Sequence, residues 1–292
     1  MEWQPKKVDP VKERDTRLEP SLADIESHMP DGHPYRDRRH VTWAHETTHG
    51  LNARIRNQAV QIKQIHSGGM PLTLPVPTTE IQEAAPIVSG RYNACYVLND
   101  MAFVMEEPSL RLSQIANAVP TSMRGMSYRL YLIQQQQYWN DCPLYVLDEW
   151  SAYTNGLSTA LDANGGDGTF SDVLQSLEFM AYTFVLARLL IPRAAQYTEF
   201  YLFIKWQAER CASLYQRAKR IENLASSSLV EYEKKILAAS DFDQERAMLA
   251  RLYGNGWLFT LFYPKPEPGP DPEPEPDPNP GPAPGPVPDL EW

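Results

Sequence analysis

The sequence predicts a mainly α domain that carries one small β-hairpin. Three observations support this. Apolar residues recur at steps of three and four along several long segments. Only one stretch is rich in β-branched and aromatic residues around a tight turn, and prolines fall between the periodic segments or at their starts.

The longest periodic run is Val41, Ala44, Thr48, Leu51, Ile55, Ala59, Ile62 and Ile65, one face of a long helix. Asp37 is placed to cap its start, and "SGGMP" at 67–71 ends it. Residues 71–90 form a proline-rich connector. "RYNACYVLNDMAFVMEE" then reads as two strands around Asn99 and Asp100. "SYRLYLIQQQQYWND" and "PLYVLDEWSAYTNGLSTAL" read as helices broken at Cys142-Pro143, because proline is accepted in a first turn but not in a helix interior. "VLQSLEFMAYTFVLARLLI" is apolar nearly all round, which marks a central buried helix that Ser171 or Asp172 can cap. Three more amphipathic helices follow, the last ending near Gly254.

This pattern divides the chain into three parts. Residues 1–36 are a polar arm without sustained period, 37–263 a helical domain, and 264–292 a proline-repeat acidic tail. In the tail every second residue from Pro264 to Pro288 is proline, so it is expected to remain an extended polyproline rod, acting as a spacer or as a ligand for a proline-binding partner. The formal net charge is −10, of which the tail holds seven acidic residues and one lysine. The remaining body is close to neutral and has no long basic cluster, which argues against a nucleic-acid partner. The longest apolar stretch is short and interrupted by Arg188, and the first residues lack an apolar core. A cytoplasmic or otherwise soluble chain with no membrane partner is therefore expected. The cysteines, Cys95, Cys142 and Cys211, are odd in number and widely spaced, which suits buried thiols. The loop "DANGGDG" has Gly166 and Asp167 where a calcium loop needs a ligand followed by glycine, so it reads as a turn.

Within the long helix, "TWAHETTHGLN" places His45 and His49 four residues apart around Glu46. Such residues lie about 40° apart around the axis and about 6 Å along it, so two imidazoles can face one ion from one side. Neutral imidazole suits zinc, and Glu46 is close enough to act on a water at the metal without ligating it. Among the other histidines, His28, His33 and His40 follow no helix face and read as solvated loop residues.

In this stretch the chain resembles the zincin metallopeptidases, with Thr42 and Leu51 meeting the extended signature on either side of the histidines. The gluzincin branch is the nearer likeness, because Glu149 and Ala152 in "DEWSAY" look like its E-x-x-A helix. The resemblance implies a pair of active-site helices and a Zn²⁺ held by His45, His49 and Glu149, with Glu46 as general base. It also implies a peptide or protein substrate. Asp148, Asp141, Glu178 and His66 are the other candidates for the third ligand. Tyr153 stands where many relatives have an aspartate that orients a histidine, so that carboxylate has to come from Asp148 or Asp141. For a donor to the oxyanion, Tyr145 is the first choice, followed by Tyr138, Tyr92 and His66. The hairpin could pair with an extended substrate along its edge or simply belong to the core. The rival to a zinc endopeptidase is a non-catalytic interaction or assembly protein that keeps the metal site and uses the tail as its binding segment; a zinc hydrolase of a non-peptide amide would share the same site.

Overall fold

The computed structural model describes residues 1–66 and 91–264, with side chains described only as far as residue 59 in the first stretch. The helix stop at 67–71, the connector at 71–90, the side chain of His66 and the tail beyond Pro264 lie outside the described residues.

The arm begins with Trp3, whose ring packs on Phe203 and Trp206 at centroid distances of 5.2 and 4.7 Å. It continues as a two-residue strand, β1 (Lys6–Lys7), and a helix, α1 (Pro20–Ser27). That helix carries too little period to be read from the sequence. Proline in its first turn and the complete burial of Leu22 and Ile25 hold it in place. Burial of such side chains contributes ~1.5–3 kcal/mol each, enough to keep a helix too short to persist alone.

The long helix, α2, spans His40–His66. Asp37 does not cap it. The first turn is satisfied from the glycine loop, where Asp167 Oδ1 accepts the Val41 N–H at 3.2 Å. The same loop turns through Asn164, Gly165 and Gly166 at positive φ, and Asp162 Oδ2 accepts the Ser21 N–H at 2.8 Å. Two of its three oxygen-bearing side chains thus bind protein donors.

Two strands, β2 (Tyr92–Tyr96) and β3 (Met101–Glu106), form the expected hairpin, with Tyr92 opposite Glu106 and Tyr96 opposite Ala102. Leu98, Asn99 and Asp100 all have left-handed φ, at 68°, 55° and 55°. Asn99 and Asp100 tolerate that region through their short polar side chains. The turn is further pinned by Asp24, whose Oδ2 accepts the Asn99 N–H and the Tyr96 hydroxyl, each at 2.9 Å. β1 adds a third antiparallel strand, giving the order β1-β3-β2, where the sequence suggested a hairpin alone.

The remaining described chain is helical. After α3 (Leu112–Ala118), the segment read as a single helix divides into a π-helix at Tyr128–Gln134 and a short α4 (Gln136–Trp139). Gln135 N–H reaches back five residues to the Leu130 carbonyl at 3.1 Å. α5 (Tyr145–Asp162) begins just after Pro143, and half-buried Glu107 accepts the Leu144 N–H at 2.9 Å to cap it. α6 (Phe170–Leu190) is capped by Thr169, whose N–H and hydroxyl both go to Asp172, so the cap lies two residues before Ser171. Among the described residues this helix is the one long and apolar enough to cross a membrane, and most of it is buried inside the fold. α7 (Thr198–Ala218), α8 (Ser227–Ala238), α9 (Asp243–Tyr253) and a further α10 (Trp257–Phe262) pack around it. Arg188 on α6 pairs with the buried Glu245 at 2.6 Å. All three cysteines are buried.

The functional residues lie where α2 crosses α5. Gly156 permits that crossing: a Cβ there would sit 3.3 Å from the Val41 carbonyl oxygen and 3.4 Å from the Val41 side chain. Ala152, one turn before Gly156, is fully buried as well.

Candidate metal centre

The spacing of His45 and His49 on α2 brings both Nε2 atoms to one side, 3.1 Å apart. Glu149, on the facing side of α5, places Oε2 at 3.8 Å from His45 Nε2 and 3.6 Å from His49 Nε2. A point equidistant from three corners so spaced lies about 2.0 Å from each in their plane, and about 2.2 Å when raised as a tetrahedral centre requires, which is the bond length zinc takes to nitrogen and oxygen. Glu149 Oε2 is buried and has no hydrogen-bond partner, an arrangement costly for a carboxylate unless a cation completes it. The residues present therefore fit a zinc ion.

The next layer fixes these donors. Asp148 Oδ1 lies 2.9 Å from His49 Nδ1, so that nitrogen carries the proton and Nε2 presents its lone pair to the centre. Asp148 also accepts from Asn52 Nδ2 at 2.6 Å, and the Asn52 carbonyl takes the Tyr96 N–H at 2.6 Å. Asn155 on α5 donates to Thr48 Oγ1 at 3.1 Å and to the Tyr96 carbonyl at 3.0 Å, and its oxygen accepts from Arg210 at 2.8 Å. Two asparagines thus tie α2, α5, β2 and α7 together behind the ligands. They also occupy the outer edge of β2 at Tyr96, where a substrate strand would have to displace them both.

Charge follows from this packing. Burial lowers the pKa of His45 well below the ordinary value, and the neighbouring His49 lowers it further. His49 is also desolvated, but the carboxylates of Glu149 and Asp148 outweigh that and raise its pKa well above the ordinary value.

Glu46 lines the cleft in front of this cluster, together with His45, Tyr131, Tyr153, Asp172 and Gln175. Tyr153 packs edge-on against the His45 ring at 4.4 Å, and its hydroxyl lies 2.5 Å from that of Tyr131. Burial raises the Tyr131 pKa, with Glu149 and Glu46 adding to the effect, so both carboxylates act on that hydroxyl. Tyr145 does not line the cleft. Burial, then the negative charge of Glu149 one turn along the helix, raises its pKa. Tyr131 and Tyr153 are the tyrosines that line the cleft. Tyr131 gave no signal in the sequence, because its place depends on the π-helix.

No protein family, curated protein or solved structure matches this chain. The reading of the site rests on its own residues.

The other sequence candidates lie elsewhere. Asp141 is exposed beside Arg111, and Tyr138 is exposed and does not line the cleft. Tyr92 belongs to the hairpin. Glu178 binds the backbone N–H groups of Met126 and Ser127 at 2.8 and 2.7 Å. His28 is fully buried, with Nε2 2.9 Å from Asp100, which corrects its reading as a solvated residue. Asp24, His28 and Asp100 form a second cluster of potential ligands, but Arg14 is bonded to both carboxylates and supplies the cation there. The His33 ring packs at a tilt against Tyr35, centroids 5.3 Å apart, and half-exposed His40 faces Glu19 at 3.7 Å.

Proposed function

We propose that the chain is a zinc-dependent peptidase of gluzincin type, with Glu46 as its general base. The observation that carries this reading is the triangle of His45 Nε2, His49 Nε2 and Glu149 Oε2, sized for zinc and facing a cleft that Glu46 lines. Bound there, zinc would polarise a scissile carbonyl and make a neighbouring water more acidic. His45, His49 and Glu149 would hold the ion, and Asp148 would keep His49 in the ligating tautomer. Glu46 takes the proton of the attacking water and delivers it to the departing amine. The paired hydroxyls of Tyr131 and Tyr153 share one proton between them and have a second to donate to the carbonyl oxygen as negative charge builds on it.

The test is a peptide-library digest by zinc-loaded wild type and by Glu46→Gln, with metal content measured on both. Cleavage that disappears in the variant while zinc remains supports the peptidase. A wild type that binds one zinc tightly and cleaves no peptide supports the rival, an interaction protein that keeps the metal for stability.

A further inference from the structure

The π-helix at Tyr128–Gln134 is an uncommon geometry, since its wider turn is less favourable than an α-helical one and persists where its surroundings impose it. Here the surroundings act at its N-terminus. Glu178, in the middle of α6 and fully buried, accepts the N–H of Met126 at 2.8 Å through Oε1 and that of Ser127 at 2.7 Å through Oε2. One carboxylate therefore holds two successive backbone amides just before the π-helix starts. Gly125 makes this approach possible: a Cβ there would fall 1.9 Å from Glu178 Oε1.

Four residues beyond Ser127, Tyr131 leaves the π-helix toward the cleft. Its ring packs on Phe179, the next residue on α6, at 5.2 Å, and its hydroxyl meets that of Tyr153 at 2.5 Å. Tyr153 in turn packs on His45. The path from Glu178 to the metal cluster is therefore short and continuous.

We propose that Glu178 is a positioning residue: by clamping the amides of Met126 and Ser127 beside Gly125 it sets the π-helix, and through it places the Tyr131 hydroxyl in the cleft. The kinetic consequence rests on the peptidase reading, whereas the placement of Tyr131 does not. Glu178 touches neither ligand nor cleft, so its loss should leave zinc affinity unchanged while displacing Tyr131.

The experiment uses the full chain with Glu178→Gln, Tyr131→Phe and the double variant. Glu178→Gln puts an amide N–H against a backbone N–H, and Glu178→Asp, which keeps the charge one methylene short, serves if the first variant fails to fold. The first readout needs no activity: 3-fluorotyrosine at position 131 is observed by fluorine NMR in metal-free protein, alongside zinc affinity by competition. The expected result is a shifted or broadened signal at 131 with zinc affinity within about twofold of wild type. An unmoved signal overturns the proposal whatever the enzyme does. The second readout is the mutant cycle in kcat and KM. Loss of one transition-state donor costs about 10²–10³ in kcat. Glu178→Gln is expected to lower kcat at least tenfold with KM little changed, and to add nothing in the Tyr131→Phe background. Additive losses overturn the route through Tyr131. If the wild type shows no peptidase activity but the fluorine signal moves as stated, the functional reading fails and the positioning inference stands.

Discussion

Replacing Gly125 by alanine tests the clamp from its other side, and the structure sets the size of the effect. The new Cβ would lie 1.9 Å from Glu178 Oε1 and 2.4 Å from its carboxyl carbon. Restoring ordinary contact moves the carboxylate by roughly 1.5 Å, beyond hydrogen-bond reach of the amides it now holds at 2.8 and 2.7 Å. Hydrogen bonds to a charged group contribute ~1.5–3 kcal/mol each, so losing both costs ~3–6 kcal/mol. Reduced freedom of the unfolded chain returns up to ~1 kcal/mol. The net expectation is ~2–5 kcal/mol, read from urea unfolding of the metal-free protein, or about 4–20 °C in Tm at this chain length. Glu178→Ala combined with Gly125→Ala should be no less stable than Glu178→Ala alone, because the colliding group is gone. A Gly125→Ala protein within 1 kcal/mol of wild type would show that α6 and the Gly125 segment yield easily, and would refute this account of the clamp.

Three further outcomes follow from the site. Asp148→Asn removes the charge that holds His49 Nδ1, and zinc affinity is expected to fall 10–100-fold by competition with a chelator while the fold is retained. Zinc binding at neutral pH should release about one proton, because the raised pKa of His49 leaves it protonated in the metal-free protein; calorimetry in buffers of different ionisation enthalpy measures the number, and zero release would contradict the charge state described. Burial raises the Glu107 carboxyl from 4.5 to about 8, against the opposing Leu144 N–H and Asn93 side chain. The folded protein therefore holds a proton that the unfolded chain has lost, and this contribution to stability, complete below about 4.5, declines as pH rises to about 8 and then levels. Glu107→Gln should flatten that part of the unfolding profile, and an unchanged slope would assign it to another group.

The sequence made the central helix legible because α2 has an unbroken apolar face, and its two histidines needed only helical periodicity to converge. Glu149 came from a resemblance and from lying on a predicted helix; its exact distance to the histidines depends on the close crossing at Gly156, which no local pattern announces. Tyr145 is a related case. Lying one turn before Glu149 puts it against that carboxylate, and being on the same helix face does not reveal which neighbours stand between a side chain and solvent. Tyr131 could not be found at all, since its position is fixed by a carboxylate 47 residues later in the chain. α1 escaped because its two core residues, Leu22 and Ile25, are too few to establish a period.

Asn52 and Asn155 give the donor cluster a scaffold of neutral amides that binds no ion. The donor atoms belong to two helices, α2 and α5, that these amides tie to each other and to β2 and α7. Metal capture then requires expelling a proton and little rearrangement of α2 or α5, so the empty protein should keep the same shape as the loaded one and exchange its ion without partly unfolding.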